Sequence, residues 1–356
     1  MGLRILHIAP LNVAGVPFAM MDMQKRFGHT ARLVTLHRNR FGFPEDVCLD
    51  LPLPRGHLAD AWRRKKIRAR RNTPAGKAPI LKPRNILERL YWRFDDAWRA
   101  PAIRRAVKDH GLDAFDIIHY DGGMDAFRDA RLAREWKRQD KKIVCHYMGS
   151  DLRDRGIHSD MDRISDLNLT NESDHLLLHD NIHYIFIPFD TTPYQVRTKE
   201  NSTLRIIHSP TNRAMKGSEH VIRVIERLRK LRRIEFVLAE HRQHADVIRL
   251  KSTCDIAIEQ VGNHGGTGYG RNSLETLAMG IPTITDMTPE CVAELPDHPF
   301  ILATPETLLE RLVELIDDPD LRRAHALKGR SWVEEHHSYE SVHDRLLSLY
   351  RAHGIL

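Results

Sequence analysis

Two cations, Arg213 and Lys216, lie three residues apart in the stretch HSPTNRAMKGSEH, directly after an apolar run that ends at His208. The apolar run predicts a strand, and the amphipathic stretch that follows predicts a helix. Both cations would then lie at the amino end of a helix, which attracts anions through its free N–H groups and its dipole. The pattern favours a diphosphate site. The plainer alternative is a solvated loop that happens to carry two cations.

A second candidate site is the glycine-rich stretch GNHGGTGYG, with five glycines from Gly262 to Gly270. Backbone N–H groups in such a loop can bind phosphate or sugar hydroxyls without side-chain bulk. Glu275 falls about one turn into the predicted helix that follows, where its carboxylate could accept hydrogen bonds from both hydroxyls of a ribose. An ordinary surface glutamate is the alternative reading of that residue.

The loop Pro10–Pro17 follows the first predicted strand and leads into a predicted helix. Gly15 in this loop would let the backbone approach a ligand closely. The loop lacks the GxGxxG pattern, and no acidic residue ends the next strand. These two features argue against a nicotinamide dinucleotide as the ligand.

Short apolar runs alternate with amphipathic stretches along the chain, which predicts an α/β fold with helices on both faces of parallel sheets. The runs form two sets, separated by the polar, proline-marked stretch from 188 to 202. We therefore expect two Rossmann-like, doubly wound domains, residues 1–190 and 203–337, with a closing helix at 338–356. Loops at the carboxyl ends of both sheets would face a central cleft. The predicted strands are Leu3–Ala9, Ala31–Thr35, Ile117–Tyr120, Ile143–His146, Asp166–Thr170, Tyr184–Ile187, Leu204–His208, Ile234–Leu238, Ile256–Ile258, Thr283–Thr285 and Phe300–Leu302.

The composition of the 356 residues, 41% hydrophobic and 29% charged, is that of a folded globular chain and excludes disordered and collagen-like classes. The formal charge of +7 is concentrated in residues 51–110, which hold 17 Lys and Arg against 5 Asp and Glu. We interpret residues 51–115 as a basic insertion in the first domain. No apolar run approaches the roughly 20 residues that span a bilayer, so we expect a cytoplasmic protein.

The basic insertion has three possible interpretations. It could be a solvated charged face, a docking surface for an anionic membrane or a phosphorylated acceptor, or, least favoured, a nucleic-acid surface. The docking surface requires cations beside interfacial tryptophans. Its candidate residues are Trp62, Arg63, Arg64, Lys65, Lys66 and Trp92.

The block TGYGRNSLETLAMGIPTI resembles the signature of GT-B glycosyltransferases of the family-4 type. HSPTNRAMKG resembles the Arg and Lys loop of that family, VCHYMGSDLR resembles its His-Gly-x-Asp stretch, and the chain from Phe300 onward is similar to its closing helices. The resemblance covers most of residues 1–40 and 117–356. It implies the GT-B fold, with the C-terminal helix packing back towards the first domain. The implied activity is that of a glycosyltransferase (EC 2.4) with a nucleotide-diphosphate sugar as donor substrate and no cofactor or metal.

The resemblance also assigns roles to individual residues. Arg213 and Lys216 become donor diphosphate ligands with a catalytic role, and Glu275 becomes the ribose ligand. His146 is the catalytic residue that faces the transferred sugar, with Asp151 just beyond it. The remaining donor-binding positions are Gly15, beside the reaction centre, and Thr267, Gly268, Tyr269 and Gly270, against the donor sugar.

Thr267 departs from the family pattern, which has a carboxylate eight residues before the position of Glu275. A threonine can hydrogen-bond a sugar hydroxyl, but it carries no charge to stabilise a developing oxocarbenium ion. Glu259, on the preceding strand, is a candidate substitute. The departure keeps three alternatives open: a non-catalytic GT-B scaffold or partner subunit, a nucleotide-sugar epimerase, and a phosphorylase.

The resemblance also implies sugar transfer with retained anomeric configuration, and we expect this transfer to proceed without metal. Closure of the two domains would exclude water and bring the acceptor to the donor. The expected acceptor is lipid-linked or phosphorylated, in envelope polysaccharide or glycolipid synthesis. The chain would then make peripheral contact with the anionic inner face of the membrane. The sequence predicts neither the nucleotide base nor the sugar.

Overall fold

The computed structural model describes residues 2–53, 76–262 and 268–356, which form two compact units. Unit 1 comprises Met1–Asn39, Phe43–Ile185 and His343–Leu356, and unit 2 comprises Arg40–Gly42 and Phe186–Val342. Among the described residues, no helix combines the length and the apolar character needed to cross a bilayer.

Unit 1 contains a parallel sheet of seven strands. Along the chain these are β1 (Arg4–Ala9), β2 (Thr30–Thr35), β3 (Val47–Cys48), β4 (Ile117–Asp121), β5 (Lys142–Tyr147), β6 (Leu167–Thr170) and β7 (His183–Tyr184). The strands are hydrogen-bonded in the order β3-β2-β1-β4-β5-β6-β7. The order reverses beside β1, as in doubly wound sheets that bind ligands at their carboxyl edge.

The helices of unit 1 cover this sheet and enclose a core that includes Tyr120, Phe127 and Trp136. A 3-10 turn, Val13–Gly15, precedes the first helix, and a second one spans Leu112–Ala114. The helices are α1 (Val16–Arg26), α2 (Ile86–Asp109), α3 (Arg131–Lys137), α4 (Ser159–Ile164) and α5 (His175–Leu178), and a wider helical turn spans Asp151–Arg155.

Unit 2 contains a five-stranded parallel sheet and the described helices between residues 213 and 336. Its strands are β8 (Arg205–His208), β9 (Glu235–Leu238), β10 (Ile256–Ile258), β11 (Thr283–Thr285) and β12 (Ile301–Leu302), in the order β12-β11-β10-β8-β9. Its helices are α6 (Arg213–Lys216), α7 (Ser218–Leu228), α8 (His244–Lys251), α9 (Arg271–Ala278), α10 (Pro289–Glu294), α11 (Leu308–Asp317) and α12 (Pro319–His336).

The amphipathic pattern of unit 2 determines which faces its helices bury. Val221, Val224 and Leu228 of α7 are buried against the sheet, as are Leu308, Leu312 and Leu315 of α11. The spacing of three and four residues places each set on one helical face. These contacts follow directly from the sequence pattern.

The last helix, α13 (Tyr339–Ala352), carries the chain back to unit 1. Tyr350 is fully buried there, and its hydroxyl is hydrogen-bonded to His119 Nε2 on β4. His343 stacks on Phe27, with ring centroids 4.1 Å apart. The predicted packing of the C-terminal helix on the first domain is confirmed, as are the two parallel sheets.

Candidate functional site

Arg213 and Lys216 lie on the short helix α6, directly after the carboxyl end of β8. Asn212 caps this helix, its Oδ1 accepting a hydrogen bond from the Met215 N–H at 3.2 Å. Gly217 then turns the chain into α7 with a φ of 63°. A Cβ at this position would lie 1.8 Å from the Val261 carbonyl oxygen, so the turn requires glycine.

Arg213 is half exposed and contacts two carboxylates. Its Nε and Nη2 donate to the two oxygens of Glu240 at 2.7 and 2.9 Å, and its Nη1 donates to Glu219 at 2.9 Å. The bidentate geometry fixes the guanidinium. The hydrogen bond and charge of Arg213 hold the pKa of Glu240 below its usual range.

Lys216 contacts a buried carboxylate rather than an exposed one. Its Nζ donates to Glu259, at the end of β10, and also to Gln260 Oε1 at 3.2 Å. The other oxygen of Glu259 accepts from Asn272 and, at 2.9 Å, from the Ser273 hydroxyl at the start of α9. Burial acts to raise the pKa of Glu259, but the Lys216 charge and these hydrogen bonds lower it by more. Glu259 therefore stays ionised and joins the α6 loop to α9.

Glu275 is buried on α9, with both carboxylate oxygens engaged. Oε2 accepts from Lys251 Nζ at 2.6 Å, and Oε1 from His244 Nε2 at 2.6 Å and Arg271 Nε at 3.3 Å. Burial acts to raise the pKa of Glu275, but the charge of Lys251 and the contact with His244 outweigh it and bring the pKa to about 2. The structure thus places the predicted ribose ligand inside a network of cations.

The glycine-rich stretch is described only in part, because Thr267 lies outside the described residues. Gly268 has a φ of 109°, and a Cβ there would lie 2.8 Å from the Asp286 carbonyl oxygen. Gly270 precedes the first residue of α9 in an extended conformation. The Tyr269 ring is buried among Phe300, Trp332 and His337, with ring centroids 5.2 to 5.8 Å away. Tyr269 therefore anchors the start of α9 in the core of unit 2.

His146 lies at the end of β5 in unit 1 and is fully buried. It lies beside the carboxylate of Asp121, the last residue of β4. The distance between His146 Nδ1 and Asp121 Oδ1 is 3.4 Å. Asp121 Oδ2 accepts from His7 Nδ1 at 2.9 Å, and His7 Nε2 contacts Gln24 Oε1 at 2.9 Å. Burial acts to raise the pKa of Asp121, but His7 and His146 together hold it far below its usual range. The carboxylate remains ionised beneath both imidazoles.

Asp151 and Gly15, which the resemblance places with His146 around the reaction centre, also have defined surroundings. Asp151 accepts a hydrogen bond from the Met148 N–H at 2.9 Å and lies 3.2 Å from Arg155 Nη2. Its burial raises its pKa. Gly15 ends the turn before α1 with a φ of 72°.

Within the described ranges, one group of side chains has the spacing of metal ligands: His7, His119 and Asp121, whose ligand atoms lie within 4.8 Å of one another. Most of these atoms already have protein partners. His7 uses both ring nitrogens, and His119 Nε2 contacts Tyr350. The cluster is thus part of a hydrogen-bonded network that extends to Gln24 and Tyr350.

The predicted docking surface is described only at Trp92, since Trp62, Arg63, Arg64, Lys65 and Lys66 lie outside the described residues. Trp92 is half buried, with the Arg128 guanidinium 5.8 Å from its ring centroid. The structure shows Phe94 and Trp98 on the same helix to be the more exposed aromatic residues.

Several residues of the unit 2 network were not predicted from the sequence: His244, Lys251, Glu240 and Asn272. His244 and Lys251 lie seven residues apart on α8, and so share one helical face. This spacing was the available signal. It becomes meaningful only once α8 is known to pack beside α9.

The chain resembles known proteins in part of its sequence and in its fold. Residues 218–348 match the family model described as Glycosyl transferase-like. No curated protein sequence matches significantly. Among solved structures, HepE of Anabaena in complex with UDP-glucose is 12% identical over 98% of this chain and 100% of that chain, with a TM-score of 0.60. The chain has the GT-B fold.

Two further solved structures agree with this GT-B assignment. An alpha-glucosyltransferase in complex with UDP and a 13-mer DNA is 12% identical over 98% of this chain and 99% of that chain, with a TM-score of 0.57. A UDP-N-acetylglucosamine 2-epimerase is 12% identical over 100% of this chain and 97% of that chain, with a TM-score of 0.53. At such identities the likeness concerns the fold. With the family match it confirms the predicted class, a GT-B protein with a glycosyl transferase-like domain.

Proposed function

We propose that the chain transfers a sugar from a nucleoside diphosphate sugar to an acceptor, with Arg213 and Lys216 binding the donor diphosphate. The supporting observation is their placement on α6, at the carboxyl end of β8 and beside the amino end of α7. Breaking the anomeric C–O bond leaves negative charge on the departing diphosphate. Fixed cations there stabilise the transition state more than the ground state.

Arg213 and Lys216 differ in how easily a ligand could displace the carboxylates that they contact. The carboxylate beside Lys216 is Glu259, which is buried and held by Asn272 and Ser273. Arg213 contacts the more exposed Glu219, whose side chain is 64% accessible and can swing into water. A diphosphate can therefore displace Glu219 from Arg213 Nη1 more easily than it can displace Glu259 from Lys216, while Glu240 keeps Nε and Nη2 of Arg213 in place. We expect Arg213→Ala to weaken donor binding more than Lys216→Met does.

The experiment is calorimetric titration of the full chain with UDP, other nucleoside diphosphates and their sugars. We expect one nucleotide to bind selectively and the Arg213→Ala/Lys216→Ala variant to bind it about 100-fold more weakly, since two charged hydrogen bonds contribute about 3 kcal/mol. UDP is the first to test because the similar GT-B structures were solved with UDP or UDP-glucose.

Arg232→Ala is the matched control, because Arg232 also forms a bidentate pair with a carboxylate, Asp317, on the surface of unit 2. This variant should bind the nucleotide as the wild type does. Equal binding by the double variant and the wild type would contradict the proposed diphosphate site.

The carboxylate next to the donor sugar is the part of the proposal that Thr267 places in question. Glu259 is fixed by three side chains and ionised, so it can act as a permanent negative charge near the α6 loop. We propose that it replaces the missing carboxylate electrostatically. Glu259→Gln should lower turnover more than donor affinity, because removing this charge leaves Lys216 more attractive to phosphate.

His146 is proposed to face the transferred sugar, with retained configuration at the anomeric carbon. Its ring is buried next to the ionised Asp121. Proton NMR of the first product formed reports the anomeric configuration, and EDTA should leave the rate unchanged.

An epimerase would convert the nucleotide sugar with no acceptor present, so the acceptor-free reaction distinguishes an epimerase from a glycosyltransferase. A non-catalytic scaffold would bind the nucleotide without turnover.

The acceptor is proposed to be lipid-linked or phosphorylated, in envelope polysaccharide or glycolipid synthesis at the inner face of the membrane. The support is the concentration of positive charge in residues 51–110. Extraction of radiolabelled product into organic solvent, after incubation of the chain with membranes and labelled donor, separates a lipid acceptor from a soluble one.

A further inference from the structure

The first half of α2 exposes its large apolar side chains to solvent. After an adjacent pair in the first turn they recur at intervals of three or four residues, which places them along one side of the helix. Each is more than half exposed, from 54% to 72%, and they are Ile86, Leu87, Leu90, Phe94 and Trp98. Single exposed apolar residues are ordinary on protein surfaces, whereas an aligned set of five indicates an interaction site.

The opposite side of the same stretch buries charged residues. Asp96 is 3% exposed and accepts a hydrogen bond from the Arg128 N–H at 2.9 Å. Arg99 is 5% exposed, with its Nη2 3.1 Å from Asp95. Rolling the helix to bury its apolar side would break these contacts and leave buried charges unpaired, which is strongly unfavourable. The ion pairs thus hold the apolar side outward.

The first turn of α2 is fixed in the same way. The side chain of Glu88 is buried and accepts from the Arg84 N–H at 2.6 Å, while Asn85 Oδ1 accepts from the Glu88 N–H at 2.8 Å. Asn85 thus caps the helix by satisfying one of its free N–H groups, and Glu88 ties the first turn to Arg84, the residue before the cap. The orientation of Ile86 and Leu87 is therefore set by the cap.

The polarity of α2 becomes ordinary after Pro101. Ile103, Ala106 and Val107 are buried, and Arg104, Arg105 and Lys108 point to solvent. The inverted pattern is thus limited to residues 86–98, and it is not a property of the whole helix. We therefore look for a binding partner that would contact residues 86–98 and not the rest of α2.

The charges beside the apolar side identify the partner. Arg89 and Arg93 are exposed on the same stretch, and Arg105 and Lys108 are exposed farther along the helix. Apolar and tryptophan side chains flanked by arginine are suited to the boundary between acyl chains and anionic headgroups. Two copies of this face packed together would bring Arg89 and Arg93 near their own equivalents, which disfavours a homodimer through it.

We propose that residues 86–98 of α2 lie in the surface of an anionic lipid bilayer, with Leu90, Phe94 and Trp98 inserted between the headgroups. Arg89 and Arg93 would then contact lipid phosphates. This inference is independent of the donor site. It assigns the inserted side chains to Leu90, Phe94 and Trp98, and not to the half-buried Trp92 that was predicted from the sequence.

The test is flotation of the full chain with vesicles of phosphatidylcholine, alone or with about one third phosphatidylglycerol. We expect binding to the anionic vesicles only, with a blue shift of tryptophan emission that is absent in Trp98→Phe. Phe94→Glu/Trp98→Glu should weaken binding at least about 10-fold, since it removes two large apolar side chains from the headgroup region and adds two negative charges that the anionic lipids repel. Arg89→Glu/Arg93→Glu should weaken binding and reduce its dependence on salt.

Leu327→Glu is the matched control, because Leu327 is 71% exposed on α12 of unit 2. It should leave vesicle binding unchanged, as should Arg213→Ala/Lys216→Ala, which separates failure of this proposal from failure of the donor site. Circular dichroism checks that each variant is folded.

Unchanged vesicle binding in the Phe94→Glu/Trp98→Glu variant would overturn the proposal, and so would equal binding to neutral vesicles. A concentration-dependent dimer in sedimentation velocity, abolished by the same substitutions and accompanied by no vesicle binding, would assign the face to a second copy instead.

Discussion

Asp121 in unit 1 and Glu275 in unit 2 are both buried carboxylates that stay ionised, but different groups balance their charges. Asp121 contacts the imidazoles of His7 and His146. Glu275 contacts Lys251 and Arg271 as well as His244. Lysine and arginine are charged at every physiological pH, whereas an imidazole carries charge only when protonated. In unit 2 the negative charge of Glu275 is thus balanced by the permanent charges of Lys251 and Arg271. In unit 1 the negative charge of Asp121 lies beside imidazoles, whose charge depends on a proton.

This difference suits the roles proposed for the two units. A site that holds a diphosphate must keep its electrostatics constant during turnover, and unit 2 does so with fixed charges. A histidine beside a transferred sugar must be held in position, and Asp121 lies 3.4 Å from the His146 ring nitrogen. The comparison predicts effects of different size for substitutions in the two clusters.

The largest effect should come from removing the fixed cation in unit 2. Lys251 is fully buried and donates to Glu275 and to the Asn272 carbonyl, so Lys251→Met leaves a buried carboxylate short of its main partner. We expect a loss of about 3 to 5 kcal/mol in the free energy of unfolding, measured by urea denaturation. Lys251→Arg, which keeps the charge, should lose less. Equal losses for both variants would show that packing matters more than charge.

The next effect is a pH dependence of Glu275. Its folded pKa of about 2 lies below the ordinary value of 4.5, so its stabilisation is complete above pH 4.5 and is lost as the pH falls towards 2. Between pH 4.5 and about pH 3, the stability advantage of the wild type over Glu275→Gln should shrink by about 2 kcal/mol, at 1.36 kcal/mol per unit. Urea denaturation of both proteins across this range measures it. A constant difference would mean that Glu275 is already neutral.

A smaller effect is expected in unit 1. Asp121→Asn keeps the shape of the side chain and can still accept a hydrogen bond from one imidazole. The loss in unfolding free energy should be about 1 to 2 kcal/mol, because a charged hydrogen bond is exchanged for a neutral one. If the loss matches that of Lys251→Met, the contrast between fixed and proton-dependent compensation does not hold.

The smallest effect should come from Arg271, whose Nε lies 3.3 Å from Glu275 and whose side chain is partly exposed. Arg271→Gln should cost less than about 1 kcal/mol, since Lys251 and His244 remain in place. Thermal unfolding monitored by circular dichroism is sensitive enough to compare it with Lys251→Met. A larger loss would make Arg271 the main partner of the carboxylate.

The sheets could be predicted from the sequence because their strands are continuous apolar runs bounded by polar loops. Eleven strands were predicted, and each overlaps one in the structure. The strand missed was β3, Val47–Cys48, which is too short to show a period. It forms because β2 offers a free edge, with Val34 next to Val47. Such a pairing depends on the neighbouring strand and not on the segment itself.

The α6 loop was predictable for a similar reason, since Arg213, Lys216 and Gly217 are close in the sequence. The partners of Glu275 were not, because Lys251 and His244 come from α8, more than 20 residues earlier in the chain. The burial of charged side chains on α2 could not be predicted from the sequence either. Asp96 and Arg99 look like a solvated face until Arg128 and Asp95 are seen beside them.

The return of the chain to unit 1 has a practical consequence for anyone who wishes to study that unit alone. Unit 1 is not encoded by one continuous stretch, because residues 186–342 separate its larger part from residues 343–356. A gene fragment ending at residue 185 would lack Tyr350 and expose His119, and the polypeptide would lose the helix that closes its core. Joining residues 1–185, which include Arg40–Gly42, to residues 343–356 through a glycine-serine linker keeps all three segments of unit 1 in one polypeptide.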